Sequence, residues 1–78
     1  MSFMFEIYYK PPTNPAKESA LTERVAALGG RLDFREEADE NVGICLTYEF
    51  ADWESAAKAA DVLRQLGEHV VGPADYGP

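Results

Sequence analysis

A chain of 78 residues has room for one domain with a thin core, because a chain of that size buries only about 60 % of the surface it exposes when unfolded. Its 14 acidic residues against 7 basic ones give a net charge of -7, which repels a phosphate backbone and argues against nucleic acid as a partner; Lys10, Lys17, Arg24, Arg31, Arg35, Lys58 and Arg64 are spread along the chain and gather in no patch. No apolar run approaches the roughly 20 residues of a membrane span, and no basic stretch followed by an apolar core marks a secretory signal. A cytoplasmic location with no membrane partner is therefore expected. Cys45 is the single cysteine, which excludes an internal disulfide or a Cys-x-x-Cys redox pair.

The first element is "FMFEIYYK", residues 3 to 10. Phe3, Phe5, Ile7 and Tyr9 share one parity, and Met4, Glu6, Tyr8 and Lys10 the other, as in a strand buried on one face. Pro11 and Pro12 remove two backbone donors and stop the ladder. Asn14 followed by Pro15 has the form of a helix N-cap and first helical position, and Leu21, Val25 and Leu28 then recur at helical spacing until Gly29 and Gly30 end the turn. A second strand, "RLDFRE" over 31 to 36, sets Leu32 and Phe34 on the core face and Arg31, Asp33 and Arg35 on the other. The polar "EADEN" reads as a hairpin connection. "VGICLTYEF", Val42 to Phe50, is the strongest strand, with Ile44, Leu46, Tyr48 and Phe50 alternating against Cys45, Thr47 and Glu49. Asp52 caps a second helix whose buried stripe is Trp53, Ala56, Ala57, Ala60, Leu63 and Leu66, closed by Gly67. A short strand over 68 to 71 precedes an irregular Gly/Pro-containing tail from about residue 72, kept irregular by its glycines and prolines.

The order strand, helix, strand, strand, helix, strand defines an α+β fold of the ferredoxin-like split β-α-β type (βαββαβ). One four-stranded antiparallel sheet carries two helices on one face, and residues 1–78 form a single compact domain. Right-handed crossovers place the first and third strands centrally and the second and fourth at the edges. The expected core is Phe5, Ile7, Leu21, Val25, Leu28, Phe34, Ile44, Leu46, Trp53 and Leu63.

That order is similar to several small families sharing the ferredoxin-like topology, among them the ACT domains, which bind amino acids at subunit interfaces, and the RNA-recognition domains, which read single strands on the open sheet. RNA-recognition domains place aromatic and basic side chains on the exposed face of the third strand; here that face offers Cys45, Thr47 and Glu49, which supply neither stacking nor positive charge. An ACT-like reading implies a small-molecule ligand at the corner of Tyr9, Thr13, Asn14 and the tail near Tyr76. The order also compares with small cofactor-free enzymes built as dimers that close their open sheets around a substrate.

On parity, Met4, Glu6, Tyr8 and Lys10 share the helix-free face with Cys45, Thr47 and Glu49. This mixture of methionine, tyrosine, small and acidic residues suits an interface with a second copy or another protein. The leading expectation is a non-catalytic interaction or assembly module dimerising through that face, or through the edge of the fourth strand. Catalysis, a cofactor and a metal are not expected. His69, the one histidine, falls on an edge strand away from Cys45. The acidic group Glu36, Glu37, Asp39 and Glu40 lacks the alternating ligand spacing and turn glycine of a calcium loop.

Overall fold

The protein is represented by a computed structural model that describes residues 2–37 and 43–75. Chain order is β1 (Phe3–Tyr9), α1 (Pro15–Ala27), β2 (Arg31–Glu37), β3 (Ile44–Phe50), α2 (Trp53–Gln65) and β4 (His69–Asp75). The sheet order is β2-β3-β1-β4, and every neighbouring pair is antiparallel. This is the split β-α-β, ferredoxin-like arrangement, with the two richest apolar strands in the middle.

The helix boundaries follow from side-chain chemistry. Asn14 Oδ1 accepts from the Lys17 amide at 3.0 Å, and Asp52 Oδ2 from the Ser55 amide at 2.9 Å, so each N-terminus has one orphan donor satisfied. At the other ends Gly29 and Gly67 take φ values of 96° and 92°, a left-handed turn that glycine enters without a Cβ clash.

The core lies between sheet and helices. Phe5, Ile7, Leu46, Tyr48 and Phe50 meet Leu21 and Val25 of α1 and Ala56, Ala59, Ala60 and Leu63 of α2. The three small alanines let α2 approach the sheet closely, where Phe5 stacks on Phe50 at 5.5 Å between centroids. Tyr48 is fully buried, and its hydroxyl has a partner in Thr22 Oγ1 at 2.9 Å, which offsets the cost of enclosing a polar atom.

Two expected core residues lie outside it. Phe34 is 57 % exposed and Trp53 50 % exposed, and Leu66, expected on the buried stripe of the second helix, is 53 % exposed. The cause at Phe34 is a register shift: Leu32 pairs with Tyr48, but Phe34 pairs with Thr47, leaving Asp33 as an extra residue in β2. One extra residue turns the following side chains to the opposite face. Leu32 thus keeps the helix side, Phe34 is delivered to the helix-free side, and Arg35 comes under α1. Trp53 sits in the first turn of α2 and packs edge-on against Phe3 at 6.0 Å, covering the rim of the core instead of filling it.

β4 continues to Asp75, past the expected end at residue 71. Gly72 and Pro73 are absorbed by a second register shift, between Ala74 and Val71 opposite β1. Proline is tolerated there because an outer strand needs no N–H on its free side.

Candidate functional site

The register fixes the helix-free face as three rows running across β2, β3, β1 and β4. The middle row is Phe34, Thr47, Glu6 and Val71; one flank is Glu36, Cys45, Tyr8 and His69, the other Arg31, Glu49, Met4 and Ala74. The structure thus brings Met4, Glu6, Tyr8, Cys45, Thr47 and Glu49 together on one surface. Lys10 is exposed just beyond the end of β1.

Glu6 is the hub of this surface. Its Oε2 accepts from the Tyr8 hydroxyl at 3.1 Å and lies 3.5 Å from Cys45 Sγ, which is 3.9 Å from Thr47 Oγ1. Cys45 is buried, only 7 % exposed, beneath these neighbours. Desolvation, followed by the contacts with Cys45 and Glu6, holds the Tyr8 phenol protonated well above its usual range. Burial likewise pushes the Cys45 thiol up, against the lowering influence of Thr47 and Tyr8. Both groups are therefore neutral donors at neutral pH, and a neutral thiol is a poor nucleophile. Tyr8 also meets His69 edge-on at 6.0 Å.

A second carboxylate is held at the flank. Glu49 accepts from Ser2 Oγ at 2.7 Å and from Arg31 Nε at 2.8 Å, with Arg31 Nη2 closing the ion pair. These partners, Ser2 first, keep its pKa below the ordinary carboxylate value. An open cleft of about 480 Å³ lies beside this pair, bounded by Ser2, Gly29, Gly30, Arg31, Glu49, Phe50 and Ala51.

The corner residues Tyr9, Thr13 and Asn14 have their polar groups engaged within the fold. The Tyr9 hydroxyl accepts from the Asn14 amide at 3.0 Å and donates to Glu18, while Thr13 Oγ1 donates to Glu37 at 3.1 Å. Arg35 ties this corner together, its Nε 2.6 Å from Glu18 and its Nη1 2.8 Å from Glu37. Lys17 lies over the Tyr9 ring at 5.2 Å. Tyr76, Asp39 and Glu40 lie outside the described residues. Among the described residues no group of three or more His, Cys, Asp or Glu is disposed to hold a metal ion, and no helix is long and apolar enough to cross a membrane.

Sequence parity missed Phe34 and Val71 as members of the open face, whereas it set Arg31 on the side away from the core, where the structure has it. The first depends on the extra residue in β2, for which the sequence carries no proline or glycine as a signal. Val71 carried the strand period but was not assigned to this face. The chain matches no family model, no curated protein and no solved structure.

Proposed function

We propose that the chain is a non-catalytic assembly module whose helix-free sheet face is covered by a second copy of itself. The observation that carries this reading is how the face distributes its polar and apolar groups. Its central polar atoms are already paired with one another: Glu6 with Tyr8 and Cys45, and Glu49 with Ser2 and Arg31. Covering a carboxylate that has its donors in place costs far less than covering one that loses water. In the middle row of the face the outer strands leave apolar side chains open to solvent, Phe34 at 57 % and Val71 at 46 % exposure, while Arg31, Glu36 and His69 are exposed on the flanks. A face meant only for water gains nothing from that arrangement, whereas a two-fold contact lets each apolar rim bury against its mate.

A dimer also suits a chain of this size, whose own core is thin. A reducing, cytoplasmic setting fits its lone buried thiol. The test is light scattering over a concentration series for the wild type, Tyr8→Glu and Val71→Glu. Wild type at twice the chain mass of 8.6 kDa or more, with both variants smaller than the wild type at every concentration and folded by circular dichroism, is the expected result. A wild type that stays monomeric into the millimolar range, or variants that dimerise undiminished, overturns the proposal.

A further inference from the structure

The sheet has two outer strands, and their free sides are unequal. On β4, Pro73 offers no N–H and the Gly72 carbonyl is occupied by Arg64 Nη2, so further pairing along that edge is interrupted at residues 72 and 73. Among the described residues β2 pairs only with β3. Its seven residues, "RLDFREE", contain neither proline nor glycine, and all but Arg35 are exposed.

The extra residue at Asp33 makes the face pattern of β2 symmetric. Arg31, Phe34 and Glu36 pair with Glu49, Thr47 and Cys45 and share the helix-free side; Leu32, Arg35 and Glu37 pair with Tyr48, Leu46 and Ile44 and share the helix side. Two strands joined antiparallel about a two-fold axis normal to the sheet must oppose residues of the same face. The register that meets this condition over the longest stretch, residues 31–36, has its axis between Asp33 and Phe34, which then oppose each other. Arg31 then lies opposite Glu36 on the helix-free side, and Leu32 opposite Arg35 on the helix side, each pair occurring twice. Opposed Arg and Glu are a favourable cross-strand pair. Glu36 makes no hydrogen bond or ion pair among the described residues; Arg31 is paired with Glu49 through Nε and Nη2, but its side chain is 75 % exposed, so a second carboxylate can reach it. Leu32, 39 % exposed, gains the aliphatic stem of Arg35 as a neighbour. By contrast, two copies stacked parallel and in register would oppose Arg31 to Arg31 and Glu36 to Glu36. The charges on this edge thus oppose open-ended stacking while permitting one closed pair.

We infer that β2 is a self-pairing edge: two copies join antiparallel through β2 in this register, extending the four-stranded sheet into one of eight strands with the helices of both copies on one side. The contact is made by the free edge of β2 and does not rest on the covering of the helix-free face, although Arg31, Phe34 and Glu36 border both.

Register-specific cross-linking tests it. In a strand pair, opposed Cα atoms lie about 4.5–5.5 Å apart, inside the range of about 4.4–6.8 Å that a disulfide spans. Arg31→Cys chains and Glu36→Cys chains, both carrying Cys45→Ser and one set bearing a mass tag, are mixed and oxidised mildly. The expected product is a heterodimer formed at least about tenfold faster than either homodimer, because each residue lies five positions, about 16 Å, from its own copy. The same heterodimer forms when Tyr8→Glu is added to both chains, which separates edge from face. No heterodimer at high micromolar concentration, equal rates for all three products, or loss of the heterodimer with Tyr8→Glu each overturns the inference.

Discussion

Replacing Phe34 and Leu46 separately with alanine sets two residues of adjacent strands against each other. Leu46 is fully enclosed in the core cluster. Its truncation removes three carbons, a transfer loss of about 2.4 kcal/mol at about 0.8 kcal/mol each, and the cavity left behind raises the total to about 3 to 5 kcal/mol. A chain of this length has roughly 4 to 12 kcal/mol of stability in all, so Leu46→Ala lowers Tm by more than about 10 °C. Phe34, more than half exposed, has little burial to lose, and its truncation costs about 1 kcal/mol or less. Were β2 regular, Phe34 would lie under α1 and its loss would cost about 3 to 5 kcal/mol. Urea unfolding at low micromolar concentration, where association contributes least, measures both variants. A Phe34→Ala loss above about 2 kcal/mol, or a Leu46→Ala loss below about 1 kcal/mol, refutes the register shift and the face assignment built on it.

Gly30→Ala places a methyl group against the ring of Phe50, whose Cε1 lies 2.7 Å from the new Cβ; because that ring is stacked on Phe5 and enclosed, the variant should lose about 1 to 3 kcal/mol in denaturant melts, and an unchanged midpoint contradicts the packing described. The Arg35 guanidinium first, and then the Tyr9 hydroxyl, hold the Glu18 pKa below its ordinary 4.5. The folded form therefore binds the proton less readily than the unfolded chain. That contribution is fully present above the ordinary carboxylate value and is lost as pH falls through the lower folded value. Urea midpoints should be level near neutrality and decline below about pH 4.5, with a shallower decline in Arg35→Met; midpoints that rise on acidification contradict this sign. Cys45, buried with a raised pKa, should react with iodoacetamide at pH 7.5 at least about tenfold more slowly than in the urea-unfolded chain, and equal rates contradict its enclosure.

The fold was largely legible because the local signals agreed. Asn14-Pro15 and Asp52 start the helices, Gly29 and Gly67 end them, and the alternation in residues 3–9 and 44–50 marks the two strands that the sheet places in the middle. Errors arose where a strand departs from strict alternation. Period-2 reasoning assigns Phe34 to the core, and only pairing against β3 reveals that Asp33 breaks the count. Pro73 likewise reads as the end of a strand, although an outer strand can carry it past that point. The candidate face was legible at its centre, through the parity of Met4, Glu6 and Tyr8 against Cys45, Thr47 and Glu49. Its rims were not, because Phe34 and Val71 enter it through edge strands whose registers depend on tertiary pairing. The Tyr9, Glu18 and Arg35 network was invisible for the same reason: Arg35 reaches α1 only after the shift.

The proposed cover over the helix-free face is tested most directly by isotope-filtered NOE spectroscopy on an equimolar mixture of labelled and unlabelled chain. Pairing through that face predicts intermolecular contacts to the Met4 methyl, the Tyr8 ring and the Val71 methyls. Intermolecular contacts confined to α1, α2 or the β2 edge, or none at millimolar concentration, contradict it.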